Sequence, residues 1–296
     1  MEKLRRNKLF IYSFLAPAFL IYTALAVIPI VQSVNFSFYA WPGIKNIPMK
    51  FTGLANYAEM LTSPRFWLSI KNVMWFILMN LIFQILLGYG LALLLSRCWK
   101  GYKAFKVAFF LPVVLPLTAS ALLWKFIYFP NNIGILNQFL YLLKLDRLAT
   151  AWLINAKTAL NAVIAANVWT GFGYHVVIGF AALSGIPDSI MESAGLDGAD
   201  ALQRLVYFTL PMIWESVKIS MVLIITGSMK NFDIVFVMTE GGPNGLTHVP
   251  STLLYYEAFK YEHYGLGSAI AVFILAASLL LSLVTMRLMQ REAIEY

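Results

Sequence analysis

The sequence predicts an all-α chain, a polytopic membrane protein with six transmembrane helices. Three observations carry that expectation. The 296 residues are 60% hydrophobic and 12% charged, against about 45–50% apolar and about 25% charged in soluble domains, so there is too little charge to coat a water-exposed surface. Several apolar runs reach the roughly 20 residues that a helix needs to cross a hydrocarbon core of about 30 Å. The formal net charge of +8 fits Lys and Arg gathered in cytoplasmic loops. No basic run interleaved with aromatics occurs, which argues against a nucleic-acid partner.

Taken in order, Lys3, Arg5, Arg6 and Lys8 precede an apolar run at 9–34. Ala24-Leu25-Ala26 resembles a signal-peptide cleavage site. The run is nevertheless longer than the about 7–15 apolar residues of a signal core, so it reads as an uncleaved first helix, kinked or unevenly packed at Pro17 and Pro29. Phe36, Phe38, Tyr39 and Trp41 at its far end form an interfacial aromatic cluster. The further spans are expected at 66–95, 105–129 (with Pro112 and Pro116 inside), 158–183, 210–238 and 265–286. The domain reading is a short N-terminus at 1–8 and a transmembrane domain at 9–296. Arg97, Lys100, Lys103 and Lys106 make the loop after the second span densely basic, like the N-terminus. Density of positive charge near helix ends sets orientation, so both termini are expected to be cytoplasmic, in a multi-pass protein of the cell (inner) membrane.

Several chemistries find no residues. One cysteine, Cys98, excludes an intramolecular disulfide. His175, His248 and His263 stand far apart, without metal-ligand spacing. No G-x-x-x-x-G-K-[ST] loop occurs, so the chain is expected to be no enzyme and to hold no cofactor, and any ATP and Mg would be bound by partner subunits.

The segment at 184–211 departs from the positive-inside pattern. It lies on the cytoplasmic side by topology, yet carries Asp188, Glu192, Asp197 and Asp200 against Arg204 alone. Ser189-x-x-Glu192 has the pattern of a capping box, Gly195 suits a left-handed helix end, Asp197-Gly198 a turn, and Asp200-x-x-Gln203 a second helix start. Ile190, Met191 and Ala194 can share one face of the first helix, and Leu202, Leu205 and Val206 one face of the second. Pro211 falls near the start of the fifth span, where a missing amide costs little. The result is a helix–turn–helix with small residues at its bend. From the residues alone, a docking element and a hairpin that merely links two spans are both compatible.

The run Glu192-Ser193-Ala194-x-x-Asp197-Gly198-Ala199, followed by Gln203 and Thr209-Leu210-Pro211, resembles the E-A-A…D-G-A…L-P loop of permease subunits in binding-protein-dependent ABC importers. Ser193 stands at the family's second alanine, Leu205 at its usual aromatic and Phe208 at its usual aliphatic. Gly53-Leu54-x-Asn56-Tyr57, Phe110-Leu111-Pro112, Gly134-x-x-Asn137, Thr239-x-Gly241-Gly242-Pro243 and Gly265-x-Gly267-Ser268-Ala269 extend the resemblance over nearly the whole chain, to the carbohydrate-uptake subgroup of the maltose and glycerol-3-phosphate importers. The resemblance implies a type I ABC importer permease fold and ATPase coupling through Glu192, Ser193, Ala194, Asp197, Gly198, Ala199, Leu210 and Pro211. It also implies a second homologous permease subunit, a cytoplasmic ATPase dimer, an extracytoplasmic solute-binding protein and a carbohydrate substrate.

Polar groups within spans suggest a substrate path, since an unpaired charge at mid-bilayer costs roughly 2.5–3.5 kcal/mol on insertion scales. Lys218 is expected to snorkel to the interface. Lys230 and Asp233 can pair at i,i+3, or Asn231 and Asp233 can line a sugar path. Trp169 and Tyr174 can stack on sugar rings, while the neighbouring Gly171 and Gly173 suit close helix packing. The alternative function is a secondary transporter driven by an ion gradient, for which Asp233 is the one reasonable deep carboxylate. A membrane-embedded enzyme would need His, Asp or Ser clustered at one face, which the scattered histidines do not supply.

Overall fold

The structure is a computed structural model that describes residues 8–96 and 101–290. Lys3, Arg5, Arg6, Arg97, Cys98, Lys100 and Arg291 lie outside the described residues. Four helices run uninterrupted at membrane-crossing length: α1 (Ile11–Phe36), α2 (Pro64–Ser96), α5 (Ala159–Ser184) and α10 (Tyr264–Leu288). Two bent pairs bring the crossings to six if each counts as one span. The first pair is α3 (Tyr102–Val114) with α4 (Leu117–Ile127). The second is α7 (Ala201–Met212) with α8 (Trp214–Met229), and the short α6 (Asp188–Leu196) precedes it. After α8 the chain unwinds at Lys230–Phe232 and resumes as α9 (Asp233–Thr239).

Proline chemistry sets where the helices deform. The expected kink in the third span is a full break of 98°. Leu115 is extended (ψ 137°) ahead of Pro116, as clash with the proline ring demands of the preceding residue. In α1 a π-turn at Thr23–Val27, closed by the Ile28 N–H on the Thr23 carbonyl, directly precedes Pro29. A second π-turn at Arg204–Thr209, closed by the Leu210 N–H on the Leu205 carbonyl, precedes Pro211. A proline ring clashes with the carbonyl four residues back, and a widened turn just before it relieves that clash without ending the helix.

Two compact units make up the chain. The first comprises Met1–Ser63 with Leu254–Phe273. It holds α1, a two-stranded antiparallel ribbon pairing Tyr39 with Phe51 and Ala40 with Lys50, and the helix Ala55–Thr62. Asn56 fastens the ribbon, its Nδ2 donating to the carbonyls of Ser37 (2.8 Å) and Tyr39 (3.0 Å), and the Tyr57 hydroxyl meets Ser37 Oγ at 2.7 Å. Gly265 lies against the Tyr39 carbonyl, where a Cβ has no room.

The second unit comprises Pro64–Leu253 with Ile274–Tyr296. Its core gathers Phe76, Val163, Ile234 and Val235, all fully buried. Small residues let α2 and α5 approach: a Cβ on Gly88 would sit 2.6 Å from the Cβ of His175, and one on Gly171 2.7 Å from Gln84 Nε2. Gly173 backs onto the Phe109 carbonyl of α3. The packing reading of Gly171 and Gly173 therefore holds, as expected where lipid supplies no hydrophobic drive between helices. Polar side chains join α2 to α8: Tyr89 OH lies 2.8 Å from Ser216 Oγ and 2.9 Å from Ser220 Oγ, and Asn80 Nδ2 donates to Ser228 Oγ at 3.2 Å.

The connections in this unit are stapled by buried amides. Asn137 donates to the Thr150 carbonyl (3.0 Å) and accepts from Trp152 Nε1 (2.8 Å). Asn72 donates to the carbonyls of Leu246 (2.8 Å) and His248 (2.9 Å), closing the turn that carries Gly241-Gly242-Pro243. Burial pushes the His248 imidazole below its ordinary pKa, and the Arg65 guanidinium adds to that. Asn72→Ala removes two hydrogen bonds to part-buried carbonyls, each worth about 0.5–1.5 kcal/mol. The expected result is faster amide exchange across 239–249 with exchange in α5 unchanged; unaltered protection of that loop would contradict the stapling role.

Candidate coupling segment and membrane cavity

The hairpin at 184–211 is built by its own backbone. α6 starts from Pro187, which is extended (ψ 134°) and offers no side-chain acceptor. The expected capping box of Ser189 and Glu192 is thus not formed. The helix begins at Asp188, two residues too early for Ser189 to cap it, and both side chains are exposed within α6. Nor is Gly195 the left-handed residue; it lies inside α6, with Arg204 3.7 Å from where its Cβ would be. That role falls to Gly198 (φ +80°). The Ala199 N–H bonds the Ala194 carbonyl (3.0 Å) and the Gly198 N–H bonds the Gly195 carbonyl (3.1 Å), which is the bond pair of a Schellman motif.

The second start forms as read. The Asp200 carboxylate accepts from the Gln203 N–H (2.7 Å), and Gln203 Oε1 accepts from the Asp200 N–H (2.8 Å). Arg204 Nε donates to the Ala199 carbonyl at 2.8 Å and spans the turn. Ala194 is buried, with Ile190 and Met191 half-buried beside it, so the inner face of α6 is as expected. In α7 Leu205 is half-buried, whereas Leu202 and Val206 are exposed, so the apolar face these three were expected to share is covered only at Leu205. Glu192, Ser193, Asp197 and Gly198 are exposed, Ala199 and Pro211 half-buried, and Leu210 38% exposed. Leu196, 91% exposed, stands at the tip among carboxylates. α7 then turns by 66° into α8 at the buried Ile213. The expected fifth span from Leu210 is therefore bent at Ile213, with Leu210 and Pro211 on the α7 side of the bend.

The expected substrate-path residues separate into two groups. Tyr174 and Asn231 line one cavity of about 350 Å³ between α2, α5 and α8. Gln84, Asn167, His175 and Ser228 share its wall. Gln84 Nε2 donates to Asn80 Oδ1 at 3.0 Å, and His175, 4% exposed, has no hydrogen-bond partner for Nδ1. Trp169 is not in this wall; its ring packs edge-on against Trp124 at 5.7 Å. Asp233 is exposed in the first turn of α9 and lies outside the cavity. Lys230 and Asp233 form no ion pair, because the unwinding between them removes the shared helix face. Lys218 is held by Glu215 at 2.6 Å rather than left to reach the interface alone.

The sequence reading passed over Gln84, Asn167 and Ser228 as cavity residues. A signal for Gln84 was present: Asn80 and Gln84 are amides four apart within an apolar span, hence neighbours on one helix face. Among the described residues no His/Cys/Asp/Glu group has the arrangement of a metal site.

Helices long and apolar enough to cross a membrane, an exposed hairpin ahead of a bent fifth span and a cavity whose wall carries amides and hydroxyls fit a membrane transport component. Residues 12–292 match the family described as the binding-protein-dependent transport system inner membrane component, and the chain belongs to it. It is 36% identical over 287 residues to the probable ABC transporter permease protein YurN of Bacillus subtilis (strain 168), covering 95% of this chain and 96% of that protein. It is 28% identical over 262 residues to the trehalose/maltose transport system permease protein MalF of Thermococcus litoralis, covering 88% and 87%. Its fold is that of a chain in the crystal structure of a bacterial ABC transporter involved in alginate import, with a TM-score of 0.84, 21% identity and 98% of each chain covered. The expected all-α permease fold is thereby established, and family membership sets aside the ion-gradient alternative.

Proposed function

We propose that this chain is the permease subunit of an ATP-driven importer that takes up a carbohydrate from an extracytoplasmic binding protein. The observation that carries the reading is the hairpin 184–211. Its backbone is closed by a Schellman motif and a capping box, while Glu192, Asp197 and Leu196 at the tip are left outward, without a side-chain partner among the described residues. An exposed leucine among carboxylates, on a locally rigid arm, suits insertion into a basic-rimmed groove of another protein.

In this reading Glu192, Ser193, Ala194, Asp197, Gly198 and Ala199 form the docking arm for the ATPase dimer. Leu210 and Pro211 pass its displacement through the bend at Ile213 into α8, which walls the cavity. ATP and Mg are held by the ATPase subunits, and this chain performs no hydrolysis. A second, homologous permease completes the membrane path, and both termini lie in the cytoplasm. Relatives support the carbohydrate assignment: besides the trehalose/maltose permease, a multiple sugar-binding transport permease of Streptococcus mutans is 30% identical over 266 residues. A related importer has been captured with an alginate pentasaccharide-bound periplasmic protein, which supports delivery by a binding protein.

The test is uptake by the complete importer carrying Glu192→Arg. Reversing the charge on the exposed face of α6 leaves the hairpin's internal bonds untouched. We expect uptake and ATPase association to fall at least tenfold at unchanged membrane abundance. Uptake at the wild-type rate, or uptake that continues without any ATPase subunit, would sink the reading.

A further inference from the structure

The cavity between α2, α5 and α8 presents hydrogen-bonding groups from three helices, and among the described residues no Lys, Arg, Asp or Glu lines its wall. Resting on the carbohydrate-import reading, we propose that this site selects uncharged polyhydroxyl ligands, neutral sugars and polyols, and discriminates against their uronate, phosphate and ammonium counterparts. The wall explains the selection. The Asn167 and Asn231 amides each carry two donors and an acceptor, Gln84 keeps its acceptor while its Nε2 is bonded to Asn80 Oδ1 and the Asn167 carbonyl, and Ser228 and the Tyr174 phenol offer both roles. Such groups match hydroxyls, which donate and accept in turn. The Tyr174 side chain, 45% exposed, also presents a ring on which a sugar's apolar C–H face can rest.

An anionic ligand would need a guanidinium or ammonium here to repay its lost hydration, and a cationic one a carboxylate. The chain keeps both kinds of group out of the wall. Lys230 and Asp233 flank Asn231 in sequence, yet both are exposed and neither lines the cavity, whereas Asn231 is 8% exposed and does. The unwound Lys230–Phe232 stretch makes this possible, because its residues do not follow helical spacing. Lys218, the other cation of α8's interior, is neutralised by Glu215.

The experiment uses the complete importer: this chain, its second permease and the ATPase dimer, held outward-facing by a non-hydrolysable ATP analogue, with binding protein omitted. Equilibrium binding of labelled maltotriose, cellotriose and raffinose is compared with that of trigalacturonate. We expect saturable binding of at least one neutral trisaccharide, at least tenfold tighter than trigalacturonate, and loss of that preference in Asn231→Arg. Trigalacturonate binding to the unaltered complex as tightly as the best neutral sugar overturns the proposal, whatever the variant does. Binding of neither kind, with ATPase activity still stimulated by the binding protein, removes the cavity as a sugar site but leaves the import reading standing. Absence of that stimulation as well overturns the import reading itself.

Discussion

Gly198→Val is expected to abolish uptake, lowering it at least tenfold while the protein still reaches the membrane. Gly198 holds φ +80° at the turn of the Schellman motif. A left-handed backbone costs an ordinary L-residue about 1–2 kcal/mol, and a β-branched residue is a genuine outlier there. The penalty is comparable to the Ala199–Ala194 and Gly198–Gly195 bonds that close the turn, so relaxing the backbone frees α6 from its angle to α7. None of the described residues lies within 4 Å of a Cβ at this position, so the damage within the hairpin is conformational rather than steric. Gly198→Asn separates the two causes, since asparagine tolerates left-handed φ. Uptake by Asn but not Val identifies a backbone requirement. Failure of both identifies close approach by the partner, and full activity of Val removes the turn from the coupling argument.

Gly88→Leu should have the largest effect on stability. Its Cβ would lie 2.6 Å from the Cβ of His175 and 3.2 Å from that residue's backbone carbon. Backbone cannot yield as a flexible side chain can, so α2 and α5 would have to separate along their contact. Overpacking of a tight core typically costs about 1–3 kcal/mol even for small additions, and a leucine exceeds that range. We expect little folded protein in the membrane and a clear fall in thermal midpoint for the weaker Gly88→Ala. Gly90→Leu, two residues along the same helix and with nothing within 4 Å of its Cβ, is the control and should behave as wild type. Equal stability of the two leucine variants would show that α2 and α5 do not pack through Gly88.

How far the sequence carries depends on the kind of interaction that decides each feature. Lipid imposes a length and a composition on every crossing, so α1, α2, α5 and α10 were legible within a few residues. Pro116 announced a deformation, but not that it would reach 98°, because the angle is set by what α4 packs against. The unwinding at Lys230–Phe232 has no proline to mark it. Local bonds were legible where the cap and its helix start are fixed by the same few residues, as with Asp200 and Gln203, and misread where Pro187 moved the start of α6. Several motif residues recognised only by resemblance have structural work of their own. Asn56 holds the ribbon, Asn137 holds the Thr150–Trp152 stretch, and Gly265 admits the Tyr39 carbonyl. Tyr174 and Asn231 were found, whereas Gln84, Asn167 and Ser228 were missed as cavity residues, because a cavity is a property of three helices at once.

The side chains that join α2 to α8 are all neutral: an amide to a hydroxyl at Asn80–Ser228, and a phenol to two hydroxyls at Tyr89. Within a membrane such a bond is worth about 0.6 kcal/mol on average, close to thermal energy, and Tyr89 can exchange Ser216 for Ser220 one turn away. A seam made this way is well populated when closed and shallow to leave. An importer must visit two arrangements of these helices in every cycle, and a deep well in either one would set the turnover time. Ser216 and Ser220, one turn apart on α8, give the tyrosine two near-equivalent rungs, so a slide of one turn leaves its hydroxyl beside one of them.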